Sequence, residues 1–195
     1  MTVEGQRAGV GVTTVVFDLD GTLVDSDAAL IEPFLRLGIR RDEIELGRLL
    51  EDECDRLGVR VEDYLALYEP EAVEPFAGVS DVLGRVGRWA VASHKVRASG
   101  VRELDRLGWS PEVAFFAEDF GGRAKHLEPV LAALGVPARE VVFVGDTAHD
   151  RTCAREAGAV FALAGWNPRV EAAPGDLVLA TPADLLDLGV GLLAG

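Results

Sequence analysis

Phe17-Asp18-Leu19-Asp20-Gly21-Thr22-Leu23, directly after the apolar run Val12 to Val16, constrains this chain more than any other stretch. Thr13-Thr14-Val15-Val16-Phe17 is β-branched and aromatic and lies between Gly11 and Gly21, so it reads as a strand. An apolar run without alternation suits a parallel strand covered on both faces. Two carboxylates then leave its C-terminal end, the edge at which open α/β sheets place their ligands. Strand alternation turns Asp18 and Asp20 to opposite sides. Asp-Gly alone is ordinary turn chemistry, so the meaning of the pair rests on what else reaches the same edge.

From Val79 onward strand and helix patterns alternate, the mark of a parallel sheet. A helix is predicted over 79–86, a strand over 89–93, a helix over 98–107 and a strand over 113–116. A helix from Lys125 to Leu134 follows, then a strand over 141–144 that runs into Gly145-Asp146. A helix over 151–157, strands over 160–163 and 177–180, and a helix over 182–188 complete the series. Between the first strand and this series lies a helical insert, with helices predicted over 28–37, 42–57 and 62–68; Pro33 is expected to kink the first or to mark its start. The expected fold class is therefore α/β: a Rossmann-like three-layer α/β/α parallel sheet, residues 1–24 and 77–195, with a small all-helical insert at 25–76.

Length and composition narrow the functional classes. At 195 residues with 49% hydrophobic content the chain can bury a proper core. No apolar run approaches the roughly 20 residues that span a bilayer, and no signal peptide is expected at the N-terminus. Cys54 and Cys153 make no disulfide framework, which suits a reducing cytoplasm. The net charge of −14 argues against nucleic acid and anionic membranes as partners. Residues 25–76 carry 15 Asp/Glu against 6 Arg, so the insert holds −9 of that charge.

The strand ends bring together Asp18 and Asp20, then Ser93, then a helix start with Lys125, then Asp146 and Asp150. Several carboxylates at one edge repel one another and need a cation to stay ionised. An all-oxygen set suits Mg²⁺, shared between carboxylates, waters and a phosphate oxygen. A carboxylate can attack phosphorus and split a hard displacement into two easier ones. Such chemistry needs a cation on the phosphoryl oxygens, a hydroxyl or amide donor, and an acid for the leaving group.

Asp18-Leu19-Asp20-Gly21-Thr22, Ser93, Lys125 and Gly145-Asp146 followed, after three intervening residues, by Asp150 resemble, in this order, the four motifs of the haloacid dehalogenase superfamily. The insert resembles that superfamily's small helical cap, in the manner of its phosphoglycolate-phosphatase-like subgroup. The resemblance implies a Mg²⁺-dependent phosphatase acting on a small phosphorylated metabolite through an aspartyl-phosphate. Asp18 is then nucleophile and metal ligand, and Asp20 is the general acid/base that gives the metal its backbone carbonyl. Ser93, with Gly21 and Thr22, contacts the phosphoryl group and Lys125 neutralises it. Asp146 binds the metal, and Asp150 is a further ligand or lies behind it. Ser93-His94-Lys95 stands where many relatives have Thr or Ser followed by Asn, and Lys125 precedes His126 where many have Lys-Pro. Arg123 and Lys95 are therefore alternatives to Lys125 as the neutralising cation. A phosphomutase shares every one of these residues, while a non-catalytic phosphoacceptor module would lack the large insert and the late aspartate pair. The molecule is expected to be a monomer or homodimer.

The remaining polar and aromatic residues have plainer readings. His94 is a substrate contact or a solvated loop residue, and His149 a loop group beside the motif. His126 is expected on a helix face. Arg40-Arg41 is a solvated turn or an anion contact from the insert. Cys153 is a packing residue, and Trp89, Trp109 and Trp166 belong in or near the core.

Overall fold

The computed structural model describes residues 12–189. β1 (Thr14–Phe17) is followed by β2 (Val24–Asp25), α1 (Asp27–Arg36), α2 (Leu50–Leu57), α3 (Val61–Leu67) and β3 (Glu74–Pro75). Then come α4 (Val79–Leu83), β4 (Trp89–Ala92), α5 (Arg97–Leu107), β5 (Ala114–Phe115) and α6 (Glu128–Leu134). β6 (Val141–Gly145), α7 (Ala148–Ala157), β7 (Val160–Ala164) and β8 (Leu177–Leu179) complete the order. Six strands form one sheet in the order β5-β4-β1-β6-β7-β8, and every pair is parallel. β1 is central, with Val15 opposite Trp89 on one side and Val142 on the other.

Alternation along these strands divides the core in two. Val15, Phe17, Val91, Val142 and Val144 face one way, with Val82 and Leu83 of α4, Leu104 of α5 and Leu185 of a terminal 3₁₀ turn. Val16, Ala90, Ala92 and Phe143 face the other way, onto Val130 and Leu134 of α6 and Cys153 and Ala154 of α7. Fully covered faces explain why these strands read as unbroken apolar runs. The class is α/β with three layers, as the sequence implies.

β2 and β3 pair antiparallel, Val24 opposite Pro75 and Asp25 opposite Glu74, and the insert helices lie between them in sequence. Ile31, Phe34, Ile44, Cys54, Tyr64 and Val73 pack into the same apolar cluster as one sheet face, so the insert shares a core with the sheet.

Several predicted elements differ from the structure, each for a local reason. The helix expected over 42–57 is a 3₁₀ turn at Arg41–Glu43 and a separate α2. Gly47 between them has φ +86° and Leu49 is extended, which breaks the helical path. α6 begins at Glu128, with Pro129 in its first turn, so Lys125 lies in the preceding loop. His126 lies in that loop too, beside Arg123, and not on a helix face. α1 runs through Pro33. α7 starts three residues earlier than expected because Thr147 caps it, accepting the Asp150 N–H. The 182–188 segment is 3₁₀.

Candidate active site

The C-terminal ends of β1, β4 and β6 open into a cavity of about 500 Å³, with the insert forming its opposite wall. Asp18, Asp20, Gly21, Ser93, Lys125 and Asp146 line it on the sheet side, and Leu30, Phe34, Ile44, Leu46 and Tyr64 on the insert side. Thr22 and Asp150 are fully buried behind the wall. Of the residues singled out in the sequence, six thus share one surface and two support it from beneath.

Gly21 allows the close fit at the floor. Its φ is +75°, and a Cβ there would collide with the Asp146 carboxylate. Thr22 donates to Asp146 Oδ1 at 3.4 Å, and Asn167 donates to the Gly21 carbonyl at 2.8 Å. Trp166 donates to the Thr22 carbonyl at 2.9 Å, so the near-core tryptophan fastens the first motif to the loop after β7.

Carboxylate oxygens of Asp18, Asp146 and Asp150 lie within 4.8 Å of one another. Lys125 Nζ stands 3.0 Å from Asp18 Oδ1 and 2.6 Å from Asp150 Oδ1, but off-axis, and neither oxygen receives a hydrogen bond. Asp150 Oδ2 is satisfied by the Thr147 N–H at 3.0 Å and hydroxyl at 2.6 Å. Burial works against charge on Asp150, yet Lys125 and Thr147 overcome it and hold this carboxyl below its usual range. The other two lack such support. Burial, reinforced by Asp150 against Lys125, pushes Asp18 up to about 7. Burial, Asp18 and Asp150 push Asp146 up to about 8. One ammonium among three carboxylates, two of them buried and Asp146 half-buried, leaves a deficit of positive charge. An all-oxygen set with an orphaned buried oxygen on Asp18 fits a hard divalent cation such as Mg²⁺.

Lys125 is held by its backbone. Its N–H donates to His94 Nε2 at 2.6 Å, and its carbonyl takes His149 Nε2 at 3.1 Å and the Cys153 thiol at 2.9 Å. Burial and then the Lys125 charge press the His94 ring down to about 3, so it stays neutral and able to accept. Burial pushes the Cys153 thiol up to about 12, so it stays a donor. His94 also stacks on His149 at 4.8 Å between centroids. These three residues share one task that their sequence positions did not reveal.

The three candidate cations separate clearly. Lys125 reaches Asp18. Lys95 turns instead to Asp20 Oδ1 at 2.7 Å and to Glu103 at 2.8 and 2.9 Å. Arg123 is exposed beside His126. Ser93 is buried and accepts the Lys95 N–H at 3.2 Å, which leaves its own O–H free to donate. Arg40 pairs with Asp42 at the surface, whereas Arg41 lines the cavity. Sequence reasoning missed Thr147, Tyr68, Glu103 and Arg169. Arg169 of the sheet domain reaches Asp27 at 2.7 Å and Asp25 at 3.2 Å across the cavity mouth. An isolated Tyr, Glu or Arg carries no spacing signal, so only the fold could have found those three, whereas Thr147 stands at capping-box spacing from Asp150.

A parallel α/β sheet with an insert after its first strand, and acidic groups at the strand ends, defines a class that comparison with known proteins identifies. The model of the haloacid dehalogenase-like hydrolase family matches residues 46–164. Pyrophosphatase PpaX of Halalkalibacterium halodurans is 31% identical, over 94% of this chain and 99% of that protein. A phosphoglycolate phosphatase of Xylella fastidiosa is 30% identical, over 80% of this chain and 81% of its own. Among solved structures, a haloacid dehalogenase-like family hydrolase of Streptococcus pneumoniae superposes with TM-score 0.73 at 20% identity, covering 91% of this chain and 98% of that one. This chain belongs to the haloacid dehalogenase-like hydrolases. It is an enzyme of that family, and relatives that match it along most of its length include proteins named pyrophosphatase and phosphoglycolate phosphatase.

Proposed function

We propose that this hydrolase is a Mg²⁺-dependent phosphatase for a small phosphorylated metabolite, working in the cytoplasm through a phosphoryl group carried on Asp18. The observation that carries the reading is the shortage of positive charge around Asp18, Asp146 and Asp150 at the floor of a cavity that also receives Asp20, Ser93 and Lys125. The names of the relatives agree with it.

Asp18, Asp146 and the Asp20 backbone carbonyl would hold the cation, with Asp150 contributing through Lys125. Bound there, Mg²⁺ supplies charge neutralisation for the phosphoryl oxygens. An Asp18 carboxylate oxygen bonds to phosphorus while the ester P–O bond breaks, and the leaving oxygen takes a proton from Asp20. Water then bonds to the same phosphorus and gives a proton to the Asp20 carboxylate as the Asp18–phosphorus bond breaks. Inorganic phosphate leaves with Asp18 ionised and Asp20 again protonated. Ser93 and Lys125 orient the phosphoryl oxygens throughout. The insert at 25–76 acts as the cap over the core at 12–24 and 77–189, excluding water as it closes.

Asp18→Asn keeps the shape and removes the attacking charge. Its turnover of small phosphomonoesters is expected to fall on the ~10⁶-fold scale of nucleophile deletions. EDTA should abolish wild-type turnover and Mg²⁺ restore it. More than a few per cent of wild-type activity in Asp18→Asn would remove the covalent route.

A further inference from the structure

Lys95 occupies a site the phosphatase reading leaves without a task. Its side chain is 3% exposed, and that of Glu103 on α5 is fully buried. The ammonium has three N–H donors, and each has a partner: Asp20 Oδ1 at 2.7 Å, Glu103 Oε1 and Oε2 at 2.8 and 2.9 Å, and Tyr68 Oη at 2.8 Å. The Tyr68 hydroxyl donates in turn to Glu103 Oε1 at 2.5 Å. No donor is left for a substrate. Among the described residues, Lys95 is also the only side-chain hydrogen-bond partner of Asp20.

Stability does not account for this cluster. A buried ion pair costs desolvation, and apolar residues of similar volume often serve as well or better. The arrangement does hold the Asp20 side chain, whose exposure of 24% would otherwise leave it free to rotate. Tyr68 adds a second dependence, because it follows α3 and so belongs to the insert. It stacks on Tyr64 at 6.1 Å, Tyr64 packs on Phe34 at 4.6 Å, and the Tyr64 hydroxyl donates to the Leu30 carbonyl. A continuous set of contacts thus runs from the centre of the insert to the carboxylate at the reacting edge.

We propose that Lys95 is a positioning residue for Asp20, locked by Glu103 and by Tyr68, so that Asp20 is aimed at the reacting atoms only when the insert is seated on the sheet. The inference rests on the phosphatase reading above. Asp20 acts twice in that scheme, first giving a proton to the leaving oxygen and then taking one from water. A leaving group such as p-nitrophenolate needs no proton, so loss of aim should slow only the second half of its reaction. The phosphorylated enzyme should then accumulate.

The test is rapid-quench kinetics of p-nitrophenyl phosphate with Mg²⁺, on wild type, Lys95→Met, Tyr68→Phe and the double variant Lys95→Met/Glu103→Gln, with crystal structures of the variants. The double variant removes both buried charges together and so leaves no unpaired buried charge, should Lys95→Met strand Glu103. The expected result for Lys95→Met or the double variant is a burst of p-nitrophenol near one per site at the wild-type rate. It is followed by steady turnover ~10–100-fold slower, part of the full general-acid/base range. Tyr68→Phe should show the same pattern more weakly. Asp20 should leave its wild-type rotamer in the crystals. Unchanged kinetics, burst and steady phases falling together, or Asp20 unmoved would each overturn the proposal. Turnover that survives Asp18→Asn would instead overturn the covalent reading, and the Asp20 rotamer would still decide whether Lys95 holds it.

Discussion

Asp18, Asp146 and Asp150 share a single ammonium, and that imbalance governs how the protein answers to pH. With Asp18 raised to about 7 and Asp146 to about 8, chiefly by burial, the folded cation-free chain keeps protons that the unfolded chain has released above about pH 4. The folded state then binds more protons than the unfolded one, so stability falls as pH rises from about 4 to about 8. Melting curves in EDTA should show Tm dropping between pH 5 and pH 8. Millimolar Mg²⁺ should raise Tm more at pH 8 than at pH 5, because the cation replaces the missing protons. A Tm in EDTA that does not fall over this window would show that the two carboxylates ionise freely on their own. Asp20 makes a separate prediction. Asp20→Asn should cost ~10²–10⁴-fold on an alkyl phosphate, and markedly less on p-nitrophenyl phosphate. Equal losses on both would take the proton-transfer task away from it.

α7 shows how an element's first residue reaches into the site. Thr147 caps the helix and gives Asp150 both its N–H and its hydroxyl, and Asp150 in turn faces Lys125. Thr147→Ala should cost about 1–2 kcal/mol in urea melts and lower kcat, while Thr147→Ser should restore both. A loss of stability with kcat intact would confine Thr147 to capping. At this scale the sequence was readable where one pattern dominates. β1, β4, β6 and β7 are apolar runs closed by Gly or polar residues, and each lies within a residue or so of its expected bounds. The Asp18–Thr22 and Gly145–Asp150 segments were legible because their spacing is local. The 44–49 segment was not, since its apolar residues fit a helical face that Gly47 then breaks. The sequence pattern places Lys125 on a helix because nothing local tells that its backbone is bound by His94 after β4 and by His149 and Cys153 of α7. Tyr68 and Glu103 meet Lys95 only through tertiary packing, which no periodicity records.

Taken as a whole, the molecule holds a cavity of about 500 Å³ between the sheet edge and residues of the insert, which leaves and rejoins the sheet through the segments around β2 and β3. Arg169 joins them again at the mouth through Asp25 and Asp27. Such a space holds a small ligand, and the −9 charge of residues 25–76 repels an extended polyanion. Small sugar, glycolate-like or cofactor monophosphates should therefore exceed phosphopeptides and 5′-phosphorylated oligonucleotides in kcat/KM. Faster turnover of either polymer than of every small ester would show that the insert does not close over Asp18. The central place of β1 has a further consequence, for the making of the protein. Among the described strands, the one that leads into Asp18 comes first in the chain, yet its neighbours, at Trp89–Ala92 and Val141–Gly145, come far later. Thr14–Phe17 keeps one edge unpaired until β4 has been translated and the other until β6 has, and pairings this distant in sequence form slowly. A ribosome-bound chain stopped before β6 would be inactive and prone to aggregate, so activity appears only when nearly the whole sheet exists.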